Sequence, residues 1–183
     1  MSKLLSRTVG VIVGRFQVPN LHTAHMQLIE YVQRRHMKMI VLLGIPSEYG
    51  VSEKNPLPYE SRRLMVIDKF PDVLVDYIKD IKIRLDKWID HGDQIDHKKS
   101  NRIWSEHLDA TISNIVSSNY TVTVYGGRDS FIDSYSGRFR TEVLGGEGGE
   151  LISGRDERLN CGLNIIDSPD FRAGVIHGAM NRK

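Results

Sequence analysis

Val9-Gly10-Val11-Ile12-Val13-Gly14-Arg15-Phe16-Gln17, followed after a short loop by His22-Thr23-Ala24-His25, is the stretch on which the fold turns. Val9 to Val13 is a short apolar run rich in β-branched residues, and it stops at Gly14. Such a run reads as a buried strand, the first of a parallel sheet. Pro19 and Asn20 mark a loop. Met26, Leu28, Ile29 and Val32 then recur at helical spacing within 25–35. The unit is therefore strand, loop, helix.

The same alternation continues outward. Met39 to Leu43 is a second buried strand, closed by Gly44 and Pro46. Tyr59 to Phe70 reads as a helix between Pro56-Leu57-Pro58 and Pro71, with Leu64, Ile67 and Phe70 expected on its inner face. A strand is expected around 73–81, and 87–100 reads as a polar excursion over the surface. Ile103 to Val116 has helical periodicity, and Thr121 to Val124 is a strand running into Tyr125-Gly126-Gly127. Leu144 to Gly149 reads as a glycine-rich loop, Leu163 to Ile166 as a last strand, and Pro169 to Ala179 as a closing helix. Five β-α alternations predict an α/β fold, a parallel five-stranded sheet with helices on both faces. No linker divides the chain, so 1–183 is expected to be a single domain.

Composition narrows the setting. The 183 residues carry 25 basic and 23 acidic side chains, a formal charge of +2, which gives no general pull toward nucleic acid or a membrane. Arg34, Arg35, His36 and Lys38 form a short basic run, set against that near-neutral balance. Cys161 is the only cysteine, which excludes an internal disulfide and a cysteine zinc site. No run approaches the ~20 apolar residues of a membrane span. A cytoplasmic protein without a signal segment is expected.

A parallel sheet binds ligands beyond the carboxyl ends of its strands. The loop after the first strand holds Arg15, Gln17, His22 and His25. The two histidines are three apart where the helix begins, so they share a face near its free N–H groups. Arg15 adds a fork suited to phosphate oxygens. Read from the residues, this is a polyphosphate site. A zinc pair is the competing reading, but HExxH is absent and no third ligand stands out.

These residues also carry a resemblance. Gly14-Arg15-Phe16-Gln17 with His22-Thr23-Ala24-His25 resembles the G-R-F-Q-P…H-x-G-H motif of nicotinamide-nucleotide adenylyltransferases of the archaeal type, found also fused to Nudix hydrolases. These belong to the nucleotidylyltransferase superfamily. Ala24 stands where the motif has glycine, and the loop between Gln17 and His22 is about two residues longer than the motif's. Asn55-Pro56-Leu57-Pro58-Tyr59-Glu60-Ser61-Arg62 is similar to the family's N-P-F-T-x-x-E-R segment. Asn101 to Glu106 resembles the segment whose tryptophan stacks on nicotinamide, which selects Trp104, with Trp88 as the competing candidate. Tyr125 to Ser130 is similar to G-x-x-K-D-x-S, and Ile166 to Arg172 to I-S-x-T-x-I-R, with Asp167 and Pro169 as departures.

The resemblance implies a Rossmann-like nucleotidylyltransferase fold and adenylyl transfer from ATP to nicotinamide mononucleotide, giving NAD and pyrophosphate. It implies His22, His25, Arg15 and Arg172 as catalytic residues, and Gly14, Phe16, Gln17, Gly126, Asp129 and Ser168 at ATP. It places Asn55, Arg62 and Trp104 at the mononucleotide. Mg²⁺ would be held by substrate phosphates rather than by a protein metal site. Neither nucleic acid nor membrane is expected as a partner, and homo-oligomer formation is left open. No Nudix segment is read in these residues, so transferase activity alone is expected. The rivals are another transferase of the superfamily, acting on nicotinate mononucleotide, phosphopantetheine or a cytidylyl acceptor, and a non-catalytic nucleotide sensor.

Overall fold

The structure is a computed structural model, and it describes residues 7–18, 20–47, 55–84, 95–127 and 130–144. Its sheet has five strands: β1 (Thr8–Gly14), β2 (Lys38–Ile45), β3 (Leu74–Lys79), β4 (Thr121–Gly126) and β5 (Arg140–Val143). They lie in the order β3-β2-β1-β4-β5, and every neighbouring pair is parallel. The helices are α1 (Thr23–Gln33), α2 (Tyr59–Lys69) and α3 (His97–Ile115), with a 3₁₀ turn at Phe131–Ser134. This is the α/β sheet expected from the alternation.

The pleat of β1 sorts its residues between two cores. Ile12 joins Val41, Leu43, Ile29, Val32, Met65 and Val66 on the face covered by α1 and α2. Val9, Val11 and Val13 join Ile40, Leu42, Val122, Val124, Leu108 and Ile112 on the face covered by α3. A strand buried on both sides must be apolar at every position, which is why 9–13 is an unbroken apolar run. Gly10 is the exception, and α1 explains it. A Cβ there would collide with Val32 and lie 2.7 Å from the His36 ring, so the helix sits against bare backbone.

Several boundaries differ from the expected ones for identifiable reasons. The fifth strand is Arg140–Val143, which carried no strand signal. It is an edge strand of polar, half-buried and exposed residues, so no apolar pattern announces it. The strand expected at 163–166 and the helix at 169–179 lie outside the described residues. Residues 97–100, expected in a surface excursion, form the first turn of α3, capped by Asp96, whose carboxylate accepts from the Lys99 N–H at 2.9 Å. The inner face of α2 is Ser61, Arg62, Met65 and Val66 rather than Leu64 and Ile67. The apolar pattern could not anticipate that the stripe includes a buried arginine. Among the described residues no helix is long and apolar enough to cross a membrane.

Candidate active site

The strand order places the site. The chain steps from β1 through β2 to β3 on one side, then returns to β4 and β5 on the other. The order therefore reverses between β1 and β4, and the crevice beyond their carboxyl ends is where such sheets take ligands. Gly14 ends β1 and Gly126 ends β4. Both are close-approach positions. A Cβ on Gly14 would come within 2.9 Å of the Phe16 ring, and one on Gly126 would collide with Ser130.

His22 is the N-cap of α1 and His25 lies in its first turn. Their rings stack with centroids 3.9 Å apart and 26° between planes. The His25 ring also meets Phe16, centroids 4.4 Å apart and tilted by 47°. His25 Nδ1 is buried with no hydrogen-bond partner among the described residues. Burial, and secondarily the adjacent His22, push the His25 imidazole down to about 3. His25 is therefore neutral at pH 7 rather than a resident cation.

The start of α1 is also electrostatically bare. α3 is capped by Asp96 and α2 has Glu60 in its first turn, whereas α1 has no acidic residue there and no side-chain cap bond. Of the three described α-helices, it alone leaves its positive end without an anion from its own turn or cap.

Arg15 points outward, its side chain 55% exposed, and its guanidinium donates to Asp80 just beyond β3 at 2.9 Å. An exposed pair of this kind contributes little stability, so the fork can change partners. Phe16 adopts φ 46°, the left-handed region, and is the one non-glycine residue to do so among the described residues. Gln17 is buried at 4% exposure. Its amide makes a two-point bond to Leu57, accepting from the backbone N–H at 2.8 Å and donating to the carbonyl at 3.2 Å. Arg62, 1% exposed, donates through Nη1 to the carbonyls of Arg15 at 2.6 Å and Gly44 at 2.8 Å, and through Nε to that of Pro58 at 3.4 Å. Burial and the neighbouring Arg15 lower it to about 10, which leaves it charged at neutral pH.

The expected residues thus fall into groups. Gly14, Arg15, Phe16, Gln17, His22 and His25 share the β1–α1 connection, and Arg62 is hydrogen-bonded to it. Asn55 lies in the half-buried loop before α2, two residues from the Leu57 latch. Trp104 sits on α3, across the sheet from α1, half-buried with its indole edge-on to Phe131 at 4.9 Å. A pocket using both Trp104 and the histidines has to reach over the ends of β1 and β4. Asp129, Ser168, Arg172 and Trp88 lie outside the described residues. Reading the residues alone missed Asp80, because the expected strand ran past it to 81. It also missed Leu57, which binds through its backbone and so leaves no mark in the sequence.

Among the described residues no three His, Cys, Asp or Glu side chains converge as metal ligands would. The donors at the β1–α1 loop are imidazoles and a guanidinium, which suit phosphate oxygens rather than a hard divalent cation. A cleft of about 500 Å³ opens at the amino ends of the strands, lined by Val9, His36, Lys38, Met39 and Tyr120. It is at the wrong end of the sheet for the loops that follow the strands.

Solved structures share this fold. One is a bifunctional NMN adenylyltransferase/ADP ribose pyrophosphatase from Francisella tularensis, crystallised with AMP and Mn ion. It matches with a TM-score of 0.60 at 17% identity, over 84% of this chain and 41% of its own. A NadR protein in complex with NAD and AMP-PNP matches with a TM-score of 0.51 at 13% identity, over 87% of this chain and 40% of its own. The chain spans about two fifths of the length of each. No protein-family profile and no curated protein matches the sequence. Likeness at these identities establishes the fold alone: a five-stranded parallel α/β sheet shared with these two proteins.

Proposed function

We propose that the protein transfers the adenylyl group of ATP to nicotinamide mononucleotide, giving NAD and pyrophosphate. The observation that carries this reading is the stacked His22–His25 pair at the uncapped start of α1, at the point where the strand order reverses. One structural neighbour is an NMN adenylyltransferase and the other binds NAD and AMP-PNP, and both support this reading.

The chemistry asks for alignment rather than a protein nucleophile. A 5′-phosphate oxygen of the mononucleotide attacks the α-phosphorus of ATP, and the bond from that phosphorus to the bridging oxygen breaks. Pyrophosphate leaves with the electron pair. The attacking phosphate is already an anion near pH 7, so no strong base is needed. His22 and His25 donate N–H bonds to the polyphosphate as charge builds on the departing oxygen. Arg15 exchanges Asp80 for phosphate, and Arg172 and Ser168 complete the anion cradle on the strength of the sequence resemblance. The nucleotide would lie beyond the strand ends marked by Gly14 and Gly126, beside Phe16 and Gln17, with Asp129 assigned to it by the sequence resemblance. Asn55 and Trp104 take the mononucleotide, with Arg62 beside them. A divalent ion such as Mg²⁺, held by phosphates and water, would neutralise charge on the leaving group.

The test is direct. The protein, ATP, Mg²⁺ and nicotinamide mononucleotide should yield NAD and pyrophosphate, with nicotinate mononucleotide and phosphopantetheine as competing acceptors. No dinucleotide from either pyridine mononucleotide would sink the proposal. Ala24, Asp167 and Pro169, which depart from the motifs, motivate one other reading, a nucleotide sensor that binds without reacting. ATP binding with no pyrophosphate release would select it.

A further inference from the structure

The β1–α1 loop is held in a conformation it would not choose. Phe16 at φ 46° carries a cost of about 1–3 kcal/mol for a bulky side chain in the left-handed region. Strain of that kind persists only where neighbours over-determine it. Here the neighbours flank Phe16 on both sides. The carbonyl of Arg15, just before it, is gripped by Arg62 Nη1 at 2.6 Å. The side chain of Gln17, just after it, is fastened to Leu57 by two bonds of 2.8 and 3.2 Å. Arg62 also ties in Gly44 near the end of β2, at 2.8 Å. The loop is thus fixed to β2 and to the entry of α2, two elements distant in sequence.

The consequence is the place of the Phe16 ring. It folds back over Gly14, where a Cβ would approach it to 2.9 Å, and it also meets the His25 ring at 4.4 Å. His25 contacts both rings: Phe16, tilted by 47°, and His22, stacked at 3.9 Å. Without the two latches Phe16 would relax to an ordinary φ and its ring would leave His25.

We propose that Gln17 and Arg62 are positioning residues: they lock Phe16 in the left-handed conformation, so that its ring holds His25 against His22 in the geometry that meets the polyphosphate. The last clause rests on the transferase reading; the lock itself does not.

The lock can be tested without any activity, through the His25 ring in NMR spectra recorded across acid pH. In the intact protein His25 is expected to resist protonation down to about 3, because it is buried. Gln17→Met keeps the volume and loses both bonds to Leu57. Arg62→Lys keeps the charge and loses the fork. Each should raise the His25 midpoint toward the ordinary 6.5. Tyr31→Phe, which removes the bond from the far end of α1 to Glu142 of β5, should leave it unmoved and controls for general loosening. Should the latch variants fail to fold, Phe16→Ala keeps both latches and removes the ring, and it too should raise the midpoint. An unchanged His25 midpoint in Phe16→Ala, or in folded Gln17→Met and Arg62→Lys, overturns the proposal. In the transferase assay the latch variants should lose roughly ten- to a hundredfold in kcat with a smaller change in KM for ATP. A raised midpoint with no dinucleotide from the intact protein would leave the lock standing and remove the reaction.

Discussion

Two histidines belonging to the same helix region teach how differently one residue type can be used. His25 lies in the first turn of α1 and His36 lies just past its end. Burial lowers both. His36 spends its Nε2 on the Tyr125 hydroxyl at 2.8 Å and packs on the bare backbone of Gly10. His25 contacts two rings, Phe16 and His22, beyond the carboxyl end of β1. The first is a peg between α1 and β4. The second stands where a parallel sheet receives ligands. The end of the sheet, not the residue or its burial, separates a structural histidine from a candidate catalytic one.

That contrast can be broken most sharply by deletion. His25→Ala should lower adenylyl transfer by about a hundredfold or more, in line with removing a transition-state donor, while the thermal midpoint moves little. His36→Ala should do the reverse, with activity retained at permissive temperature and a lower midpoint in a thermal melt. Equal activity losses in the two variants would erase the distinction.

Acid should sharpen it next. A histidine whose folded value is depressed favours the neutral form, so its contribution is present above the unfolded value of 6.5 and is lost as pH falls toward the folded one. Stability should decline below pH 6.5, with His25 alone giving up to about 1.4 kcal/mol per pH unit down to about 3. His36 adds in the same direction, partly opposed by Glu142. Denaturant melts of His25→Ala across this range should show a flatter slope than the parent.

Smaller effects concern the peg. Gly10→Ala pushes a methyl into Val32 and His36 and should cost about 1–3 kcal/mol in a denaturant melt. Tyr125→Phe removes only the hydroxyl that meets His36 and should cost about 1 kcal/mol. Neither should change the His25 titration.

The basic run beside the peg shows why a linear pattern misleads. Arg34 pairs with Glu30 at 3.1 Å, Arg35 lies 3.6 Å over the Tyr31 ring, His36 turns inward, and Lys38 sits over Tyr120. Four neighbouring basic residues therefore have four different environments. Arg62 is the same lesson at the site. In sequence it is a helix arginine that the resemblance places at the mononucleotide. In space its Nη1 and Nε serve three backbone carbonyls. Gln17 was expected at a nucleotide, and its amide binds Leu57. Neither arrangement has a signal in the residues themselves, because the partners are backbone atoms supplied by remote segments.

The local order of strand, loop and helix was legible from the residues alone, because burial on both faces demands an unbroken apolar run and a helix demands its own period. So was the location of the polar loop with His22 and His25, since the loop follows the first strand of a parallel sheet. Tertiary structure alone decided the rest. It put β4 beside β1, which makes the crevice, and added a polar edge strand at Arg140–Val143. It also strained Phe16 and turned Gln17 and Arg62 inward to hold it. Periodicity records which face of an element is buried. It carries no record of which distant carbonyl a buried side chain will meet, and that choice sets the geometry of the site.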